Sequence, residues 1–376
     1  MDAFSKLQTL SDASQYDLAC ACGTKAGSDH RTRGNDGTWL YPVSLPSGGT
    51  SIMLKTLMSN VCVNDCKYCP YRQNRDVRRC TISPDELATI FLEYVRQKAV
   101  IGLFLSSGVV GTPDNTMRLL TDTAALLRQR HRYRGYIHLK IIPGASDAAI
   151  DEALRLASSV SLNIETPGAN RFGRLSEKKN YLRDIIHPME RISRLTGKDG
   201  PYSKVRQTTQ FIVGASDETD AEIVRYTGGL YKKLGMGRVY FSAYQRGLGD
   251  SSIPGEQTGG DAPGNSSTMF MREHRLYQVD FLMRQYRFTA EDISFDAFGA
   301  LSLDTDPKMV WAQRHPERFP VDVNRADKYE LLRVPGIGPI SATRIIAMRR
   351  ASRIKHVDDL PLCRAWLARA KQYVAV

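Results

Sequence analysis

From about residue 51, short apolar runs alternate six times with longer stretches of helical period. The runs are SIMLKTL (51–57), GLFLSS (102–107), GYIHLKII (135–142), VSLNI (160–164), TTQFIV (208–213) and RVYFSA (238–243). Each has the length of a strand, and the chain between them suffices for crossover helices. SPDELATIFLEYVRQKA is one such helix, with Ser83 as N-cap, Pro84 in the first turn and Glu86 as the acid of a capping box. NTMRLLTDTAALLRQRH is another. Strands that alternate with helices in this way run parallel, as a barrel or a doubly wound sheet. Both architectures place their sites at the carboxyl ends of the strands. At that end of the first strand lies VCVNDCKYCP, with Cys62, Cys66 and Cys69 within eight residues.

The chain has 376 residues, which suggests two or three domains, and its 42% hydrophobic and 24% charged composition is ordinary for a globular protein. No apolar stretch approaches membrane-spanning length, and MDAFSKLQTL lacks the apolar run of a signal peptide. Seven cysteines, an odd number and unevenly placed, do not read as a disulfide framework. A reducing cytoplasm is the expected compartment, with no membrane partner. The charge is more informative: +12 with a pI near 9.4 favours polyanions. Residues 321–376 hold eleven Lys/Arg against five Asp/Glu, half of the excess. Basic runs also occur at YRQNRDVRR and RQRHRYR, each readable as a solvated face or as nucleic-acid contact. GDSSIPGEQTGGDAPGNSST (249–268) reads as a surface loop. The expected organisation is an N-terminal segment over 1–50, an α/β core over 51–303, a linker over 304–320 and a helical domain over 321–376.

Three thiolates so closely spaced can converge on one inorganic centre. Structural zinc wants four closed ligands; Cys80 is a possible fourth, but no histidine lies near and paired CxxC knuckles are absent. A 4Fe–4S cluster held by three cysteines leaves one iron open, as a catalytic centre needs. Here the chain resembles the radical S-adenosylmethionine (SAM) superfamily, whose signature is C-x3-C-x2-C with an aromatic, here Tyr68, before the last cysteine. The resemblance implies a partial (βα)6 TIM-type barrel in which the open iron is chelated by SAM. It also implies that an electron from the cluster cleaves SAM to a 5′-deoxyadenosyl radical, with reduction by a donor such as flavodoxin or ferredoxin.

The same resemblance places the other SAM contacts. Ser106, Ser107 and Gly108 stand where the family often has Gly-Gly-Glu for the methionine amino group. Asn163 and Glu165 stand where ribose hydroxyls are commonly bound. QFIVGASD resembles the family's G-x-I-x-G-x-x-E, with Gln210 and Asp217 as departures, and with Ile212 and Gly214 near the adenine. YDLACACGTKAG, GLFLSSGVVGTPDNTM, GYIHLKIIPGAS, REHRLYQVDFL and VNRADKYELLRVPGIG extend the likeness to radical SAM proteins described as DNA modification or repair enzymes. Those are thought to act beside a uracil-DNA-glycosylase-like partner.

In the tail, LLRVPGIGPISATRIIAMRR has two helical patterns around Pro335-Gly336-Ile337-Gly338. It resembles a helix-hairpin-helix motif, in which Gly336 and Gly338 let backbone amides approach a DNA phosphate, with Arg344, Arg349 and Arg350 on or just past the second helix. Leu332, Val334, Ile337, Ile345 and Ile346 are expected to form its small core. Cys20, Cys22 and Cys80 are candidates for an auxiliary cluster or for hydrogen-atom delivery, or are simply buried thiols. Cys363 is expected to serve packing, and His138 and Lys140 to face either the pocket or water. The expectation for the whole is a radical SAM enzyme acting on DNA. Two alternatives stand beside it: an enzyme modifying RNA or tRNA, and a non-catalytic DNA-bound iron–sulfur sensor or scaffold.

Overall fold

The computed structural model describes residues 1–14, 32–34, 37–44, 49–257 and 266–376. The chain divides into two compact units, Met1–Glu218 with Gly229–Phe270, and Thr219–Gly228 with Met271–Val376. Among the described residues no helix is long and apolar enough to cross a membrane.

The first unit is built on one sheet of eight strands in sequence order. After helix α1 (Ala3–Ala13) come β1 (Thr32–Arg33), β2 (Trp39–Ser44) and β3 (Thr50–Leu57), paired antiparallel. From β3 onward all neighbours are parallel: β4 (Gly102–Ser106), β5 (Tyr136–Lys140), β6 (Ser159–Ser161), β7 (Arg206–Val213) and β8 (Arg238–Ala243). The crossovers are α2 (Pro84–Arg96), α3 (Pro113–Ala125), α4 (Asp147–Leu156) and α5 (Ala169–Leu175) with α6 (His187–Thr196); between β7 and β8 runs α7 (Asp220–Leu234), which the division assigns to the second unit up to Gly228 and to the first from Gly229. A short α8 (Pro254–Gln257) follows β8. This is the expected partial (βα)6 barrel, a curled sheet left open, with a short antiparallel extension on the β3 edge. The α2 start is as its sequence dictates: Ser83 accepts from the Glu86 amide while the Glu86 carboxylate takes the Ser83 amide at 2.8 Å.

The two faces of the sheet differ in chemistry. One is apolar and sealed: Leu54, Leu103, Leu105, Ile137, Leu139, Val160, Leu162, Phe211, Val239 and Phe241 are all buried. The crossover helices close it, as where Gln207 donates to the Met189 carbonyl of α6 at 3.1 Å. The other face is polar. Lys55 Nζ stands 4.9 Å over the Phe104 ring. Phe104 stacks on His138 at 4.1 Å, and His138 Nε2 meets Ser161 Oγ at 2.8 Å. These side chains come from four neighbouring strands at matching parity, so they form one continuous lining. Buried polar side chains are costly unless they find partners, and these partly satisfy one another.

The second unit is helical: α9 (Ser266–Gln285), which begins in the first unit, α10 (Pro307–Arg314), α11 (Lys328–Arg333), α12 (Pro339–Ala351) and α13 (Arg364–Ala370). Its only described strands are β9 (Val321–Asp322) and β10 (Val374–Ala375), a two-residue parallel pairing. The residues expected as a linker, 304–320, contain α10, whose Pro307, Lys308, Trp311 and Ala312 are buried. Around it Phe288, Trp311, Phe319 and Tyr373 meet edge to face.

Candidate active site and hairpin

The loop carrying Cys62, Cys66 and Cys69 leaves the carboxyl end of β3 and is held by hydrogen bonds that compose no regular element. Met58 and Gly108 amides donate to Ser106 and Ser59 carbonyls at 2.8 and 2.7 Å, and Val63 donates to Val109 at 2.9 Å. A Cβ on Gly108 would lie 2.4 Å from the Val61 carbonyl, so only glycine lets the β4 end approach the cysteine loop this closely. Ser107 already spends its hydroxyl on the Gly108 carbonyl at 2.7 Å. Two arginines tie down the far side without any carboxylate. Arg72 donates to the carbonyls of Cys69, Leu248 and Gly249 at 3.0–3.1 Å. Arg79 donates to Asn60, Tyr71, Arg72 and Arg75 carbonyls. Arg128 likewise caps Leu156, Tyr133 and Gly135 carbonyls. Three arginines of the basic runs are therefore structural, which corrects the reading of those runs as purely solvated or nucleic-acid-facing.

A second segment folds onto the cysteine loop. Asp65 accepts from the Ser176 hydroxyl at 2.5 Å and from the Glu177 and Lys178 amides at 2.8 and 3.3 Å. Burial works against its charge, but these donors outweigh it and hold the carboxyl below its ordinary range. Lys67 pairs with Glu177 at 2.8 Å, and Lys178 reaches the Val63 carbonyl at 2.7 Å. The next residue, Lys179, is thereby delivered to the cysteines. It is buried against the Phe172 ring at 5.3 Å and hydrogen-bonds Cys66. Burial opposes its charge, yet Cys66 and Glu165 raise its pKa above the usual lysine value. Burial pushes Cys66 up against the opposing Lys179 charge, and pushes Cys69 up to about 12, helped by Cys66. The sequence reading missed Lys179, because nothing distinguishes it from Lys178 beside it until Asp65 fixes the segment.

Glu165 adopts φ +64, the left-handed region that costs a non-glycine residue strain. Its amide donates to Gln210 and its carbonyl accepts from Ile212, at 3.0 and 2.8 Å. Asn163 Nδ2 reaches its carboxylate at 3.4 Å. Burial and the hydrogen-bonded Glu165 carboxylate raise the Tyr68 phenol well above its ordinary value. The Tyr68 ring packs on Leu175, Ile212, Ala215, Tyr244 and Ile253. Tyr68, Asn163, Glu165 and Lys179 are thus neighbours of the cysteines, whereas Asp217 is not. It lies outside, paired with Arg171 and Arg174 at 2.9 and 2.6 Å. Glu218 turns inward instead, taking the Gly214 amide at 2.5 Å and the Ser216 hydroxyl, while Gly214 holds φ +85.

The other candidates stand apart. The charges that bear on the Cys80 thiol are Arg78 and Lys6 rather than the three loop cysteines. Cys20 and Cys22 lie outside the described residues. Cys363, expected in packing, is exposed.

The residues present fit a cluster with SAM. A single tetrahedral zinc would draw its thiolates to within about 4 Å of one another. Among the described residues no three of His, Cys, Asp or Glu stand so as to hold one metal ion. The loop supplies thiols with backbone N–H donors, Val109 and Asn64 to Cys62 and Tyr71 to Cys69, each at 3.4 Å. Such donors tune iron–sulfur centres. On the polar face beyond, Gln210 Nε2 and Thr208 Oγ1 are buried with no hydrogen-bond partner among the described residues, as a ligand-binding wall would leave them.

In the second unit, α11 begins with a complete capping box, Asp327 accepting from Tyr329 and Glu330 amides and Glu330 returning to the Asp327 amide at 2.7 Å. The hairpin turns through Gly336 at φ +85, where a Cβ would meet the Trp366 carbonyl at 2.4 Å. Gly338 is the N-cap of α12 with no side-chain cap, so first-turn amides stay available. Leu332, Val334, Ile337 and Ile345 form the core as expected, while Ile346 is half-buried. Arg344 and Arg350 are exposed. Arg349 instead holds the Val323 and Ala326 carbonyls at 2.8 and 2.6 Å.

Comparison with known proteins finds two families in the chain. Residues 56–227 match the Radical SAM superfamily and residues 318–364 match the helix-hairpin-helix motif. No curated protein matches the chain. Among solved structures, the FeFe-hydrogenase maturase HydG from Carboxydothermus hydrogenoformans is 17% identical over 61% of this chain and 51% of its own, with a TM-score of 0.46. Methylornithine synthase (PylB) is 13% identical over 61% and 62%, also at 0.46. SuiB from Streptococcus suis is 11% identical over 52% and 40%, at 0.39. The chain thus spans less than two thirds of the length of each. It carries a radical SAM domain, the domain of a superfamily of enzymes that use a 4Fe–4S cluster and SAM, followed by a helix-hairpin-helix domain.

Proposed function

We propose that this radical SAM enzyme acts on nucleic acid, with DNA as the substrate, and that the hairpin domain supplies the grip on its backbone. The observation that carries the reading is the presence in one chain of the cysteine loop and an uncapped Gly338–α12 start with exposed Arg344 and Arg350. A helix start of this kind favours a phosphate by its free N–H groups and its dipole. The +12 charge supports the same class of partner. RNA remains the competing substrate.

When bound, the cluster and SAM supply a carbon-centred radical able to take a hydrogen atom. The chain's own residues divide the remaining work. Cys62, Cys66 and Cys69 would hold the iron, and Lys179 offsets thiolate charge at Cys66. Tyr68, Asn163, Glu165 and Gly214 border the space where SAM would lie, and Ser106, Ser107 and Gly108 close its β4 side. Lys55, His138, Ser161, Thr208 and Gln210 line the polar face that would receive the substrate. A base in a duplex would have to be flipped out to reach that face. By resemblance, a flavodoxin or ferredoxin would reduce the cluster, and a uracil-DNA-glycosylase-like protein would act beside the enzyme.

The test is competition for the full chain between duplex DNA and tRNA, followed by fluorescence anisotropy. Preference for the duplex, weakened by R344A and R350A, is expected. Preference for tRNA would move the substrate to RNA.

A further inference from the structure

The second unit buries a lysine under its hairpin. Lys308, in the first turn of α10, is 8% exposed and donates from Nζ to the Ile337 carbonyl at 2.6 Å. The Tyr286 ring, just past the end of α9, lies 4.7 Å from the same ammonium. An ammonium is rarely buried unless it is paired, and among the described residues no carboxylate is bonded to it; its hydrogen-bond acceptor is a peptide oxygen.

That oxygen belongs to the peptide joining Ile337 to Gly338. A trans peptide is planar, with its C=O and N–H pointing opposite ways. Holding the Ile337 oxygen inward therefore directs the Gly338 N–H outward, toward the start of α12. The next peptide opens the helix, since the Gly338 carbonyl accepts from the Ala342 amide at 2.8 Å. We propose that Lys308 is the positioning residue of the hairpin's phosphate grip, fixing the Ile337–Gly338 peptide so that its N–H meets a DNA phosphate. The proposal rests on the reading of the hairpin as a DNA-binding site.

A consequence is proton linkage. An anion on the outer side of this peptide favours a charged ammonium on its inner side, so DNA binding draws a proton onto Lys308 wherever it is partly neutral. Burial lowers its pKa to about 7, opposed by Asp306 and assisted by Arg333. Among the described residues the groups facing it are Asp306 at the N-cap of α10, Arg333 of α11, the Tyr286 ring just past α9, and the hairpin carbonyl. Asp306 also faces Arg275 and Arg369, which dilutes its support for Lys308. Ordinary histidines have released their protons by about pH 8, so uptake that persists there and is lost in K308M reports Lys308.

The experiment uses the full chain and a short fluorescein-labelled duplex, wild type against K308M, from about pH 6 to 8.5, with calorimetry at about pH 8 in two buffers of different ionisation enthalpy. The wild type should lose affinity more steeply with pH than K308M and should take up a fraction of a proton per complex at pH 8. K308M should bind about tenfold more weakly at pH 6 and show no such uptake. Equal affinity and equal pH profiles would overturn the proposal. So would wild-type binding without proton uptake at pH 8, a result that stands even should K308M fail to fold. Failure of the wild type to bind the duplex at any pH would instead overturn the DNA reading itself.

Discussion

At Cys66 a buried ammonium meets a buried thiol, and the pairing depends on the residues beside each of them. Asp65 fixes Ser176, Glu177 and Lys178, and only then does Lys179 reach the cysteine. The three cysteines stand out in the sequence because their pattern is local. Spacing could not single out Lys179, whose role is created by tertiary contact, nor choose between adjacent acids in SDE, where Asp217 pairs outside and Glu218 turns inward. Cys66→Ala should lose the cluster's iron and visible absorbance, whereas Cys80→Ala should keep both, since Cys80 faces Lys6 and Arg78. Iron analysis of both variants checks this; loss in Cys80→Ala would make it a ligand. Gly108→Ala must move the Val61 carbonyl or Cys62, so it should destabilise the first unit by about 1–3 kcal/mol and lower iron retention, read by denaturation and iron content.

At the scale of elements, all six parallel strands fall where apolar runs of strand length stand between helical stretches, because burial of the outer face writes itself into the sequence. The helix starts were equally legible, as at Ser83 and Glu86. What escaped was the work of long cations. Arg72, Arg79 and Arg128 look like a charged surface, yet they cap carbonyls of irregular loops, and Lys308 sat in an expected linker that is a packed helix. Lysine 308 also makes a pH prediction. Its folded pKa, about 7, lies below the ordinary 10.5, so the unfolded chain holds more protons between these values. Stability of the second unit should therefore rise with pH from about 7 toward 10, and the penalty should be complete below 7. Denaturation of the wild type relative to K308M should show the gap narrowing over that window; a constant gap would contradict it. Gly336→Ala, with φ +85 and the Trp366 carbonyl at 2.4 Å, should cost the same unit about 1–3 kcal/mol.

For the whole molecule, the excess of positive charge gathers where a polyanion would be gripped, with half of it in residues 321–376. Binding of duplex DNA should weaken linearly in log salt, and R344A and R350A should each reduce the slope by about 1. Arg349→Ala should chiefly destabilise, since that side chain holds two carbonyls. The central claim is that SAM chemistry and a nucleic-acid grip serve one reaction. Its most direct test uses anaerobically reconstituted protein reduced with dithionite, with SAM present, and assays 5′-deoxyadenosine by mass with and without duplex DNA. The account predicts product from the wild type, more of it with DNA, and none from Cys66→Ala. No product from wild type with an intact cluster, whether or not DNA is supplied, would contradict it and leave a DNA-bound iron–sulfur sensor or scaffold in its place.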